Sequence, residues 1–420
     1  MFAVSKLIIE GGHKLEGELP IHGAKNSALP VLAATLLCKG QSTIHNCPGL
    51  SDVDSSIRIL RHLGCKIDRE GSTLTVDSRC ISTCDIPDDL MREMRSSIVF
   101  LGAIVSRMGC AKLSFPGGCE LGPRPIDLHL KALREMGLYI DESHGYLDCK
   151  VEGKLKGTNI ALSFPSVGAT ENILLAAVVA DGVTVLTNAA REPEIVDLAC
   201  YLNACGGKIT GAGEGMITIK GVEELHGAEH TVIPDRIVAI SFMTAAAVTS
   251  SEITIKDIEK EHLGQVIPMF EEAGCRIYCH DRQLELRAPE RLRPIKMVRT
   301  MPYPGFPTDA QAPMMTMATL AKGTSVFVEN IFESRYKHVG ELLRMGANIK
   351  VEGKVAVVEG VQGLYGAQVE APDLRGGAAL AVAGLAAEGI TQLEGLHHID
   401  RGYESLEKSL CSLGAKVKRI

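Results

Sequence analysis

The sequence predicts an α/β fold of two domains, each built from three copies of one repeated unit. Three observations predict it. The pattern Gly-x-x-Ile or Gly-x-x-Val recurs at Gly64, Gly137, Gly206, Gly274, Gly346 and Gly414, at intervals of 73, 69, 68, 72 and 68 residues. A glycine past a helix end can take the left-handed conformation without a Cβ penalty, and the β-branched residue after it starts a strand. Each copy also carries one alanine-rich segment, apolar on most faces, as expected of a buried helix. Finally, a chain of 420 residues with 45% hydrophobic side chains is long enough for two or three cores.

The elements follow in order. Inner helices are predicted over residues 24–37, 94–108, 169–180, 235–249, 309–321 and 373–387. Four lead through a glycine into a strand-like run: Ser42-Thr-Ile44 after Gly40, Val183-Thr-Val-Leu186 after Gly182, Thr324-Ser-Val-Phe-Val328 after Gly323, and Ile390-Thr-Gln-Leu393 after Gly389. A second, amphipathic helix follows, with acidic starts such as Ser51-Asp-Val-Asp54, Glu192-Pro-Glu194 and Gly402-Tyr-Glu404 that suit the positive end of a helix dipole. Strand pairs close most copies: Ile67 with Leu74-Thr-Val76, Ile209 with Ile217-Thr-Ile219, Ile277 with Leu284-Glu-Leu286, and Ile349 with 355–358. Gly211-Ala-Gly-Glu-Gly215 opens no helix and is read as a hairpin turn rather than a phosphate loop. The seam is placed between the third and fourth copies, near 229–234, giving one domain of 1–21 plus 231–420 and another of 22–230. The N-terminal strand is expected to complete the first of these.

Composition narrows the function. A net charge of −7 and 4% aromatic residues without tryptophan argue against a nucleic-acid surface, where basic faces and stacking platforms are the rule. No basic leader precedes a long apolar run, and apolar runs stop near a dozen residues, so neither a signal peptide nor a membrane span is expected. Thirteen scattered cysteines point to free thiols in a reducing cytoplasm. Cys80-x-x-x-Cys84 and Cys275-x-x-x-Cys279 lack a second ligand pair for zinc, and His129, His397 and His398 are read as hydrogen-bonding residues. Small-molecule chemistry is the expectation.

Because the copies repeat, chemistry is sought where they differ. The inner-helix starts carry Lys25-Asn26, Arg92 to Arg95, Asp235-Arg236, Asp309, and Asp373 with Arg375; only the third copy, Ser166-Val-Gly-Ala-Thr170, is uncharged. Buried helix starts expose N–H groups, so starts gathered with Lys25, Arg95, Arg124, Arg236, Arg335, Arg375 and Arg401 in one cleft would bind an anionic, phosphate-bearing substrate. The plainer reading makes these residues caps and surface ion pairs. The most irregular stretch is Ser114-Phe-Pro-Gly-Gly-Cys-Glu-Leu-Gly-Pro-Arg-Pro125, where Cys119 lies five residues before Arg124. A thiol beside a cation or bound anion is a candidate acid or nucleophile, against the alternative of one more buried cysteine.

Gly23-Ala-Lys-Asn-Ser-Ala-Leu-Pro30, Pro116-Gly-Gly-Cys-x-x-Gly-x-Arg-Pro-Ile-Asp127, Asn188-Ala-Ala-Arg-Glu-Pro-Glu-Ile-Val-Asp197, Phe306-Pro-Thr-Asp309, His338-Val-x-Glu-Leu-x-Arg-Met-Gly346 and His398-Ile-Asp-Arg-Gly-Tyr403 run through the whole chain in order. Together they resemble the UDP-N-acetylglucosamine 1-carboxyvinyltransferase family of enolpyruvyl transferases. The resemblance implies two inside-out α/β barrel domains that close on substrate, and transfer of the enolpyruvyl group of phosphoenolpyruvate to the sugar 3′-hydroxyl of UDP-N-acetylglucosamine, with release of phosphate by addition and elimination. It implies no cofactor and no metal. Lys25, Arg124 and Arg401 resemble the phosphoenolpyruvate-binding cations, with Asn26 beside them, and Cys119 the proton donor that also forms a covalent adduct. Asp309 resembles the base on the sugar hydroxyl. Arg95, Arg124, Pro125, Ile126, Asp127, Leu128, Ser166, Val167, Gly168, Asp309 and Ile331 resemble the nucleotide-sugar contacts, a set that Asn26 also joins. Where some members have a lysine before Ser-Val-Gly, this chain reads Phe164-Pro165-Ser166, which leaves those contacts to Ser166 and backbone groups. A shikimate-phosphate enolpyruvyl transferase and a catalytically silent paralogue are the competing readings.

Overall fold

The structure is a computed structural model that describes residues 5–115 and 126–420. These fall into two compact units, one of 5–22 with 234–420, split in sequence, and one of 23–115 with 126–233, inserted into it.

Each copy is a four-stranded sheet over one inner helix. In the fifth, Met297–Arg299 runs parallel to Thr324–Val328, which pairs antiparallel with Val355–Glu359, itself paired with Asn348–Glu352. The inner helix Gln311–Thr319 connects the two parallel strands, the crossover that parallel pairing demands. The second and third copies repeat this order. Three copies borrow a strand: the first takes Glu229–Thr231 from the far end of the inserted unit, the fourth takes Glu16–Pro20, and the sixth takes Leu7–Glu10 between Ile390–Glu394 and Lys416–Arg419. Each unit is thus closed on itself by strands from its opposite end, which limits exposed sheet edges.

The inner helices are Lys25–Ala34, Phe100–Met108, Val167–Ala177, Arg236–Val248, Gln311–Thr319 and Leu374–Ala386. Nearly every residue of Gln311–Thr319 and Leu374–Ala386 is buried, polar Gln311 and Thr316 included. The sheets alternate, as in Thr324–Val328, where Ser325 and Phe327 point inward. Helices inside and sheets outside make each unit an inside-out α/β barrel. Small residues allow the close approach. A Cβ at Gly102 would stand 2.5 Å from the Asn172 carbonyl oxygen, so the helices of the second and third copies meet at a glycine.

All six repeat glycines have positive φ, from 91° at Gly414 to 108° at Gly64, which is why each ends its helix and admits a strand. Gly211-to-Gly215 is the turn between Lys208–Thr210 and Met216–Lys220. The second inner helix, read from residue 94, is α-helix only from Phe100, behind the 3-10 turn Arg95–Val99, and another helix start also differs from the sequence reading. The second helix of the sixth copy begins at Leu406 rather than at Glu404, with Ser405 in the left-handed conformation before it.

Two substitutions separate conformational strain from close approach. At Gly137 nothing lies within 4 Å of an added Cβ, whereas at Gly64 the Cys80 carbonyl oxygen would be at 2.4 Å. Gly137→Ala is expected to cost about 1 kcal/mol, the left-handed penalty alone, and Gly64→Ala at least about twice that. Urea denaturation of the two variants measures the difference.

Candidate active site

In the inserted unit, Lys25 is the first residue of the first inner helix. Its Nζ lies 3.2 Å from Asp52 Oδ2 in the first turn of Ser51–His62, the two side chains being 11% and 2% exposed. Pro30 has no N–H to close the helical hydrogen bond on the Asn26 carbonyl, although the helix runs unbroken from Lys25 to Ala34. Ser27 Oγ donates to Asp197 Oδ2, and His230 Nε2 lies 3.0 Å from Asp197 Oδ1. Buried Asp197 therefore ties the Lys25-Asn26-Ser27 helix start to the strand Glu229–Thr231.

Three other predicted segments meet at one residue that the sequence reading missed. Asn172, fully buried in the third inner helix, accepts from the Gly102 N–H at 2.7 Å through Oδ1. Its two Nδ2 hydrogens go to the Ile98 carbonyl (3.1 Å) and His129 Nδ1 (2.9 Å), with a longer, shared contact to the Gly168 carbonyl (3.4 Å). Ile98 lies in the 3-10 turn that starts at Arg95, His129 in the helix after Ile126, and Gly168 in the Ser166-Val167-Gly168 turn. The signal was present in sequence: Thr170, Glu171 and Asn172 lie together in a helix read as buried, and polar groups there must find partners. Gly168 has its own reason, since a Cβ there would stand 2.9 Å from His129 Cε1. Accepting at Nδ1, the neutral imidazole carries its proton on Nε2, and burial pushes its pKa down to about 4. Ser166 spends its hydroxyl on the Ala169 N–H as the helix N-cap, while Asp127 is exposed and Ile126 and Leu128 are half-buried. Cys119, Arg124 and Pro125 lie outside the described residues, and Arg95 is placed by its backbone alone.

In the split unit, Asp309 sits in a 3-10 turn before the fifth inner helix, with its side chain 27% exposed. Arg335 donates to Asp309 Oδ1 at 2.9 Å and, through Nε and Nη2, to the Thr308 carbonyl. Arg375 grips Oδ2 from Nε and Nη2 at 3.2 and 3.0 Å. Both guanidinium groups are almost wholly buried, and Asp309 beside it pushes the Arg375 pKa further up against the opposing effect of burial. The Arg375 guanidinium carbon lies 5.6 Å from the centre of the Tyr403 ring, and Nη1 donates to the Tyr403 hydroxyl, which lies 2.7 Å from Ser241 Oγ. Glu329, 2% exposed and also missed from sequence, takes hydroxyls from Thr300 and Thr308 and the N–H groups of Ile331 and Phe332. It locks the Ile331 turn to the turn that carries Asp309. Arg401 is half-buried, two residues before Tyr403.

The helix starts therefore divide. Asp235 and Asp373 are N-caps, taking N–H groups of Ile237 and Val238, and of Arg375 and Gly376. The plainer reading holds for both. Arg335 and Arg375, expected to add positive potential for an anionic ligand, are spent on Asp309. What this arrangement can do is hold one partly exposed carboxylate in a fixed orientation, because two planar forks fix both of its oxygens.

The family model described as EPSP synthase (3-phosphoshikimate 1-carboxyvinyltransferase) matches residues 9–410. The chain is 53% identical to UDP-N-acetylglucosamine 1-carboxyvinyltransferase 2 of Caldanaerobacter subterraneus subsp. tengcongensis, over 99% of this chain and 100% of that protein. It is 49% identical to UDP-N-acetylglucosamine 1-carboxyvinyltransferase 1 of Symbiobacterium thermophilum, over 99% and 95%. Among solved structures, the enolpyruvyl transferase NikO from Streptomyces tendae matches with a TM-score of 0.91 at 27% identity, over 99% of both chains. EPSP synthase from Acinetobacter baumannii matches over 100% of both at 0.78 and 18%, a likeness of fold alone.

The His129 shift sets a pH dependence. Its folded pKa of about 4 lies below the ordinary value, so its contribution is complete above about 6.5 and is lost as pH falls from there toward 4. Between pH 7 and pH 5 this amounts to about 2 kcal/mol, and His129→Gln should flatten that part of a urea-derived stability profile. In the split unit, Arg375→Met breaks a buried pair and is expected to cost about 3 kcal/mol. Arg92→Met, which breaks an exposed helical pair with Asp88, should leave the melting temperature unchanged.

Proposed function

The chain belongs to the UDP-N-acetylglucosamine 1-carboxyvinyltransferase family, and from that premise we infer that it transfers the enolpyruvyl group of phosphoenolpyruvate to the 3′-hydroxyl of UDP-N-acetylglucosamine, releasing phosphate. The observation that carries the residue-level reading is the grip of Arg335 and Arg375 on Asp309. A carboxylate held by both oxygens yet partly open to solvent is suited to orienting a substrate hydroxyl and receiving its proton.

The chemistry needs an acid, a base and cations. Cys119 protonates the methylene carbon of phosphoenolpyruvate, and the electron-poor carbon left beside the carboxylate is attacked by the sugar oxygen as Asp309 takes the hydroxyl proton. Loss of a proton from the new methyl group as phosphate leaves the tetrahedral adduct restores the double bond. Lys25, Arg124 and Arg401, with Asn26, hold the phosphate and carboxylate of the donor, for which guanidinium forks and an ammonium are matched. The segments converging on Asn172, which carry Arg95, Ile126, Asp127, Leu128 and Ser166-Val167-Gly168, receive the nucleotide sugar with Ile331. Exclusion of water keeps the hydroxyl the only nucleophile.

The two units serve as the enzyme's domains, and the reaction is the first committed step of peptidoglycan synthesis. It supports the cell wall, and with it cell shape and division, and is the point attacked by the epoxide phosphonate fosfomycin. Among the described residues no helix is long and apolar enough to cross a membrane. The free-thiol composition favours the cytoplasm.

Phosphate release from phosphoenolpyruvate with each acceptor tests the assignment. Turnover is expected with UDP-N-acetylglucosamine; turnover with shikimate 3-phosphate alone would replace it, and none with either would favour a silent paralogue. Cys119→Ser should lose most turnover and resist alkylation by the epoxide phosphonate. Asp309→Ala should lower kcat at least about a hundredfold with nucleotide-sugar binding largely kept. Loss of binding of both substrates by that variant would make Asp309 a structural residue.

A further inference from the structure

Among the described residues, two thiols outside the proposed reaction approach each other closely. Cys84 Sγ and Cys110 Sγ are 2.7 Å apart, against 3.5 Å for Cys38 and Cys205. The approach is set by the backbone. Cys84 immediately precedes the short strand Asp85–Ile86, which runs parallel to Cys110–Ser114 with Asp85 opposite Lys112, and the Lys112 N–H donates to the Cys84 carbonyl at 3.0 Å. Gly109, in the left-handed conformation at the end of the second inner helix, turns the chain directly into Cys110. Accessibility separates the two pairs: Cys38 and Cys205 are fully buried, whereas Cys84 and Cys110 are both partly exposed.

We propose that Cys84 and Cys110 are a modification site, a thiol pair that a peroxide closes reversibly to a disulfide. The balance is simple. One thiolate attacks the peroxide oxygen, the O–O bond breaks, and a sulfenic acid and hydroxide form; the second thiolate attacks that sulfur, the S–S bond forms and hydroxide leaves. Two thiols and one hydrogen peroxide become one disulfide and two waters. Burial, and then the neighbouring Cys110, push the Cys84 thiol up to about 11, which disfavours Cys84 as the first attacking thiolate. The product would tie the edge strand of this sheet to the strand that leads toward the Cys119 segment, across 26 residues of chain.

The test uses the full-length protein with hydrogen peroxide at increasing dose, followed by alkylation of remaining thiols under denaturing conditions, digestion without reductant and mass spectrometry. The expected product is a cross-linked pair of peptides carrying Cys84 and Cys110, lighter by two hydrogens and separated by dithiothreitol, while Cys38 and Cys205 are recovered alkylated. In Cys110→Ser the cross-link should vanish. Recovery of Cys84 and Cys110 as separate alkylated or over-oxidised peptides at every dose would overturn the proposal. So would a disulfide from either one to exposed Cys80 instead.

Discussion

A helix that is apolar on all sides cannot lie on a surface, and this constraint shapes both units. One copy cannot bury such a helix, because its own sheet covers only one side. Three copies together can, since each inner helix is covered by its sheet outside and by neighbouring helices inside, all three against one another in the split unit. The borrowed strands follow from the same need: Leu7–Glu10, Glu16–Pro20 and Glu229–Thr231 complete sheets that would otherwise leave a core flank open. The helix-ending glycines make the packing repeatable, because every copy turns from helix to strand in the same left-handed way.

A core built of helices creates a second problem, the polar groups that enter it at the helix starts. The structure answers with buried polar junctions of high occupancy. Asn172 serves a backbone N–H, two carbonyls and an imidazole; Glu329 serves two hydroxyls and two N–H groups; Asp309 is held by two guanidinium groups. Each joins segments distant in sequence. A junction with every group paired resists displacement, because losing one partner strands a buried polar atom. The positions of the segments they join are thereby fixed by side chains buried between them.

The repeat, the inner helices and the strand-bearing glycines are legible in the amino-acid sequence, since they depend on periodicity and on backbone rules local to a few residues. The motif runs reach the family for the same reason: they are contiguous. Lys25, Asp309 and Ser166 stand out because they break a pattern at a helix start. The partners of Asn172, His129, Asp197 and Glu329 do not stand out, because they are set by the fold and not by the spacing. Glu329 is one acidic residue after a strand until it is seen to collect the N–H groups of Ile331 and Phe332.

The charged helix starts mark the boundary most clearly. Sequence alone determined that five of six inner helices begin with charge, because composition at a helix start is a local property. It could not tell a cap from a reactive group, since both use the same residues. Tertiary structure decided that Asp235 and Asp373 close their own helices while Asp309 is gripped from outside by Arg335 and Arg375. The physical reason is that a cap is satisfied within three residues, whereas the partners of Asp309 are 26 and 66 residues away and meet it only in the folded core.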